Sequence, residues 1–267
     1  MGDKEVLPFW LGTSWKMNKT LSESARYAAH LREYVSSSAK RGREYFLIPP
    51  HTAIATVAAQ LDGSNIHIGA QNIHHEENGA HTGDISAGMV ADAGAVIVEI
   101  GHQERRRDHD ETDALINAKV LRSLAWRLRP LVCIGDTAED RHYGTHLEAV
   151  RRQVKIALNG LTADDLERLL LAYEPAWSIG INGVPAAPEQ IAEMHSTVRD
   201  TLTELYGPAA GLVVPVLYGG SVTADNAADL ALVPGVHGLF VGRAALQVED
   251  FIEISNAVSS SMASSQS

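Results

Sequence analysis

A single cysteine, Cys133, stands among the 267 residues, so no disulfide can form within the chain and a reducing compartment suits it. No apolar run reaches the roughly 18 residues that suggest a membrane-spanning helix. Excess positive charge is missing as well. Lys and Arg number 22 against 33 Asp and Glu, a formal charge of −11 with twelve His counted as neutral. That balance speaks against general nucleic-acid binding, which needs a cationic surface for phosphates. It leaves small anionic ligands open, because a local site can be positive on an acidic protein. Residues Met1 to Leu7 include Asp3, Lys4 and Glu5 and lack the apolar stretch of a signal peptide, so a cytoplasmic protein is expected. No Pro/Gly/Ser-rich linker divides the chain, which argues for one domain.

Short apolar runs suited to buried parallel strands recur with helical stretches between them. They fall near Phe9–Thr13, Tyr45–Ile48, His67–Ala70, Val96–Ile100, Leu131–Ile134, Leu169–Tyr173, Leu212–Leu217 and Gly238–Val241. Thr20-Leu21-Ser22-Glu23 has the spacing of a capping box and predicts the start of the first helix. Pro188 followed by Glu189 suits a first helical turn. Eight strands in about 250 residues predict an α/β chain folded as a single (β/α)8 barrel. An open doubly wound sheet would instead call for a G-x-G-x-x-G turn after the first strand, and Gly12-Thr13-Ser14-Trp15-Lys16 does not fit one. The reading divides the chain into an extension at 1–8, the barrel at 9–254 and a serine-rich tail at 255–267, of which Ser259–Ser267 is expected to fray.

Barrel chemistry sits where strands end. After the first strand comes Trp15-Lys16-Met17-Asn18, whose lysine either holds an anionic substrate or is a solvated surface cation. After the fourth comes Gly101-His102-Gln103-Glu104-Arg105-Arg106, in which His102 either polarises a carbonyl or is structural. Glu99 precedes it among apolar neighbours, and a partly buried carboxylate needs a partner. After the sixth comes Tyr173-Glu174-Pro175-Ala176-Trp177-Ser178-Ile179-Gly180. Apolar surroundings would raise the proton affinity of Glu174 toward that of a working base. The stretch from Pro175 to Pro188 holds three prolines and two glycines, as a lid with stiff hinges would. Tyr218-Gly219-Gly220-Ser221 and Val241-Gly242-Arg243-Ala244 end the last two strands, where barrels often seat phosphate.

Taken together, these segments resemble the triosephosphate isomerase family over nearly the whole chain, from about Trp10 to Ile254. The resemblance rests on Trp15-Lys16-Met17-Asn18, Gly101-His102 with Glu104-Arg105-Arg106, Tyr173-Glu174-Pro175 with Trp177, Ile179-Gly180, and Tyr218-Gly219-Gly220-Ser221-Val222. It implies that Glu174 moves a proton between adjacent carbons, that His102 hydrogen-bonds a cis-enediolate, and that Lys16 supplies positive charge, with Asn18 beside it. It also implies support of Lys16 by Glu104 and a phosphate seat at the backbone N–H groups of Gly180, Ser221, Gly242 and Arg243. No metal or organic cofactor is implied. The partners implied are a small phosphorylated sugar and a second copy of the chain, reached through the loop after the third strand with Thr82 at its tip.

Four departures from the family pattern fall near this site. Ser14 stands where the family usually has a substrate-touching asparagine, and Gln103 stands where it has serine, close enough to be expected to disturb His102 or Lys16. Arg243 replaces a glycine of the phosphate loop, pointing either inward to grip phosphate or outward to solvent. The lid tip reads Ile181-Asn182-Gly183-Val184-Pro185. Asp136, for the usual glutamate, is a milder change. Ser14, Lys19-Thr20, the lid tip and Gly242-Arg243 are together more similar to the erythrulose-phosphate isomerase branch. That points to a tetrulose phosphate ahead of the triose pair, with a weakly active sugar-phosphate binder as the rival.

Overall fold

The computed structural model describes residues 7–37, 42–180 and 183–264. Eight strands form its centre: β1 (Phe9–Ser14), β2 (Arg43–Ile48), β3 (Ile66–Ala70), β4 (Ile97–Ile100), β5 (Arg129–Ile134), β6 (Leu170–Tyr173), β7 (Val216–Tyr218) and β8 (Gly238–Val241). Each pairs in parallel with the next, and β8 closes on β1 with Trp10 opposite Gly238, so the sheet is a closed barrel in chain order. Helices cover its outside, as parallel strands buried on both faces require. Among the described residues no helix is long and apolar enough to cross a membrane.

The period of two along each strand sorts side chains between two cores. Phe9 and Leu11, Tyr45 and Leu47, and Val98 and Ile100 face the helices and join the larger apolar cluster. Trp10, Phe46, Ile48, Ile97, Leu131, Cys133, Leu170, Ala172, Leu217 and Phe240 fill the lumen as a second cluster. Each buried Leu, Ile or Phe among them contributes about 1.5–3 kcal/mol. Aromatic size sets the space: a Cβ at Gly12 would lie 2.3 Å from the Phe46 ring, so only glycine fits there. The same alternation continues to the strand ends. It turns Ser14, Glu99 and Glu174 toward the lumen, in register with Trp10, Ile97 and Ala172.

The predicted helix starts form. Thr20 donates from its N–H and Oγ1 to Glu23 Oε2 at 2.7 and 2.6 Å, and helix Leu21–Ser37 follows. Pro188 opens helix Pro188–Tyr206, where Gln190 Oε1 accepts from the N–H of Ala187 at 2.9 Å.

Two expectations need correction. Leu212 and Val213 belong to the short helix Ala210–Val213, and β7 begins only at Val216. Pro215 intervenes, and a residue without an N–H cannot donate to the ladder, although its carbonyl accepts from Leu171 at 3.1 Å. The expected serine-rich tail is instead helix Val248–Ser264, continuous with the barrel. Ser255 and Val258 are fully buried, Ser255 Oγ lies 2.8 Å from Tyr45 Oη, and Ser259 Oγ donates to the Ser255 carbonyl at 2.7 Å. Residues 1–6 of the expected extension and 265–267 of the expected tail lie outside the described residues, as do Ile181 and Asn182 of the lid tip.

Candidate active site

A cavity of about 490 Å³ opens over the C-terminal ends of the strands. Lys16, Asn18, His102 and Glu174 line it, together with Ser14, Gly180, Ser221, Gly242 and Arg243. These residues come from loops that are distant in the chain, and barrel closure alone brings them together.

Lys16 holds a left-handed backbone with φ of 53°, a conformation that side chains other than glycine adopt rarely. Its carbonyl accepts from Gln71 Nε2 at 2.8 Å, and its Nζ donates to Glu104 Oε1 at 2.7 Å. The ammonium is thereby aimed over the cavity. Asn18 Nδ2 donates to the Trp15 carbonyl at 2.7 Å and braces the same turn.

His102 caps the short helix Gln103–Asp108: its Nδ1 accepts from the N–H of Glu104 at 3.1 Å. With Nδ1 accepting, the ring proton sits on Nε2. The ring is 6% exposed, and burial, followed by the positive charge of Lys16, pushes its pKa down to about 3. His102 is therefore a neutral imidazole that can donate from Nε2.

Glu174 follows β6, fixed by its N–H to the Ile134 carbonyl at 2.7 Å. Its carboxyl is 2% exposed and lies with Oε2 3.6 Å from His102 Nε2. Among the described residues Oε2 has no hydrogen-bond partner. Burial, and next the charge of Glu99, pushes its pKa up to about 8. Glycines make the room: a Cβ at Gly219 would stand 2.8 Å from Glu174 Cγ, and one at Gly135 only 2.0 Å from its carbonyl oxygen. A buried carboxyl of raised proton affinity beside a neutral imidazole donor and an ammonium is equipped to move protons next to a polarised carbonyl.

Each departure from the family pattern takes a definite place. Gln103, expected to press on His102 or Lys16, makes no hydrogen bond to either among the described residues. Its Nε2 is turned toward Gly135, where a Cβ would lie 3.1 Å away, and it is buried without a hydrogen-bond partner. Of the two orientations weighed for Arg243, its exposure is that of the outward one. It is exposed at the mouth, and its Nη2 donates to the carbonyl of Gly180 at 3.2 Å, linking the β8 loop to the lid. Asp136 anchors the lid base, accepting from Trp177 Nε1 at 3.0 Å, Tyr173 Oη at 2.7 Å and Arg141 Nε at 2.6 Å. Ser14 Oγ donates to Glu99 Oε2 at 2.7 Å. Glu99 belongs to this cavity too. Its sequence signal, an acid among apolar neighbours, suggests a buried partner without revealing which way the side chain faces.

Thr82 is exposed and does not line this cavity. Its loop leaves β3 and returns through the N–H of His74, which donates to the Ile85 carbonyl at 2.8 Å. His74, His81 and Asp84 bring potential ligand atoms within 4.8 Å of one another. His74 Nδ1, however, accepts from the N–H of Glu76 at 3.0 Å, which leaves the Nε2 proton facing Asp84 at 3.6 Å. The pair is too far apart for a hydrogen bond, but with Nδ1 engaged by Glu76 and Nε2 protonated, His74 has no free lone pair for a cation on the Asp84 side. Beside the loop a second cavity of about 630 Å³ adjoins the first, and Ser14, Lys16, Glu99, His102 and Glu104 line both.

Comparison with known proteins bears directly on this geometry. The family model for triosephosphate isomerase matches residues 9–258. An L-erythrulose-1-phosphate isomerase of Mycolicibacterium smegmatis is 46% identical over 92% of this chain and 91% of its own length. One of Rhizobium etli is 41% identical over 95% and 93%. A triosephosphate isomerase of Acetivibrio thermocellus is 40% identical over 90% and 94%. The crystal structure of triosephosphate isomerase from Bartonella henselae superposes with a TM-score of 0.84 at 34% identity, covering 94% of this chain and 98% of that one.

Proposed function

This chain belongs to the triosephosphate isomerase family, and from that premise we propose that it isomerises a tetrulose phosphate, erythrulose phosphate, through a cis-enediolate. One observation carries the reading: Glu174 Oε2 and His102 Nε2 lie 3.6 Å apart in a buried cavity, under an ammonium held by Glu104. In L-erythrulose 1-phosphate the C2 carbonyl adjoins a carbinol at C3. Glu174 takes the C3 proton, the C–H electrons form the C2–C3 double bond, and the carbonyl pair moves onto oxygen. His102 Nε2–H and the Lys16 ammonium stabilise that oxyanion. The neutral His102 imidazole protonates O2 from Nε2 and takes the hydroxyl proton from O3 in return; delivery of the carbon-bound proton to C2 then leaves the carbonyl at C3, which is the same ketose skeleton numbered from its other end. Backbone N–H groups of Gly180, Ser221, Gly242 and Arg243 hold the phosphate, and lid closure over 175–188 keeps water from the enediolate. No external oxidant or reductant enters the balance.

The relatives named for L-erythrulose 1-phosphate, together with Ser14 in place of the longer asparagine, favour four carbons over three. The triose pair is the alternative, supported by the Acetivibrio thermocellus relative. Assaying the purified protein on both decides between them. Higher kcat/KM on L-erythrulose 1-phosphate is expected, and strong turnover of glyceraldehyde 3-phosphate alone removes the four-carbon reading. A non-catalytic sugar-phosphate binder would have no use for a positioned base.

The active unit is a homodimer in which Thr82 of each copy enters the second cavity of the other. That cavity opens beside Lys16, and Met17 at its rim is 96% exposed, an apolar side chain that a second copy would cover.

A further inference from the structure

Glu99 is a buried carboxyl that the proton transfer leaves unused. It is 3% exposed, and it shares the lumen face of β4 with Ile97. Among the described residues its one hydrogen-bond partner is Ser14, whose hydroxyl occupies Oε2 at 2.7 Å. A carboxyl offers about four lone-pair sites, so one serine leaves most of its capacity free. Such an acid, taken out of water on the wall of a cavity, is an arrangement with a use for a polar ligand.

Its position in the barrel says which part of a substrate it meets. The phosphate-seat residues Gly180, Ser221 and Gly242 follow β6, β7 and β8 and line only the first cavity, whereas Ser14 and Glu99 line both. In a closed eight-strand barrel β4 lies across from β8. A sugar phosphate anchored over β6–β8, with its reacting carbons between His102 and Glu174, therefore extends its free end toward Ser14 and Glu99. A triose stops at the reacting carbon. A four-carbon ketose phosphate carries one more group there, CH2OH.

Resting on the tetrulose reading above, we propose that Glu99, oriented by Ser14, is the hydrogen-bonding subsite for the terminal hydroxymethyl group and sets the preference for four carbons over three. Burial pushes the Glu99 pKa up to about 7, so near neutrality its carboxyl both accepts from and donates to a hydroxyl. A site built to hydrogen-bond a hydroxyl discriminates strongly against an analogue that lacks it, because its own polar group is then left unpaired.

The test is the ratio of kcat/KM on L-erythrulose 1-phosphate to that on dihydroxyacetone phosphate, in wild type, Glu99→Leu and Glu99→Gln. The ratio is expected to fall about a hundredfold in the leucine variant and about tenfold in the glutamine variant. Should the leucine variant not fold, the nearly isosteric glutamine variant carries the comparison. Equal losses on both substrates overturn the subsite and make Glu99 a general brace, while the tetrulose reading stands. A wild type active on trioses alone overturns the subsite and the tetrulose reading together. A wild type inactive on both overturns isomerase function as well.

Discussion

The pH response of this protein is set by three side chains that share one cavity. Burial raises Glu174 to about 8, with the charge of Glu99 adding to the shift, and burial raises Glu99 to about 7; burial and Lys16 lower His102 to about 3. A base works only when ionised, so kcat/KM should rise with pH through about 7–8, well above the usual carboxylate range of about 4–5. Replacing Glu99 with Gln removes the neighbouring charge and should move that acid limb downward. A profile already flat from pH 5 would contradict a base raised by burial. Stability follows from the same shifts. A carboxyl raised on folding contributes stability that is full below its unfolded pKa and is lost as pH rises through the folded value. The histidines run the other way. His102, His195 and His237, lowered to about 3, 4 and 4, contribute stability above 6.5 that fades as pH falls. The Tm difference between Glu174→Gln and wild type isolates the carboxyl, and it should grow in favour of the variant between pH 5 and 8.

At the scale of elements, the dimer proposed above rests on the loop 71–86. Thr82→Arg would carry a cation toward the partner's Lys16, so it should shift a dimer to monomers and lower activity about tenfold or more at micromolar concentration. Sedimentation velocity beside an activity assay checks this; a wild type that is monomeric and fully active would remove the loop's role. Most elements are legible in the sequence because buried parallel strands are short, continuous apolar runs, and these chains of Val, Ile and Leu are bounded by polar turns. β7 is the exception, because Leu212 and Val213 extend the apolar run upstream of Pro215, and apolar content alone does not separate a helical turn from a strand. The last helix is hidden for the opposite reason. Its serines look like a frayed tail, yet Ser255 satisfies itself against Tyr45 in the core and Ser259 bonds back to the preceding turn. Composition hides such bonds.

At the scale of the molecule, closure does what no local segment does. Lys16 meets Glu104 across 88 residues of chain, and the His102 ring meets a carboxyl that follows β6. A protein of net charge −11 thereby places Lys16, a neutral imidazole donor and Arg243 around one cavity. Lys16, His102 and Glu174, which line one cavity, are legible because each sits in a motif at a strand end. Glu99 is only half legible, since its direction depends on the strand register that closure fixes, and the directions of Gln103 and Arg243 escape a sequence reading for the same reason. The central claim is that Glu174 shuttles a proton to and from carbon inside this barrel. It is tested most directly by incubating L-erythrulose 1-phosphate with the protein in deuterium oxide and following label into the sugar by NMR. Wild type should introduce deuterium at the two carbons of the enediolate, C3 of the returned substrate and C2 as it becomes the carbinol of the product, and Glu174→Gln should do so about a thousandfold more slowly. Equal exchange in the two proteins, or none in wild type, would contradict the account.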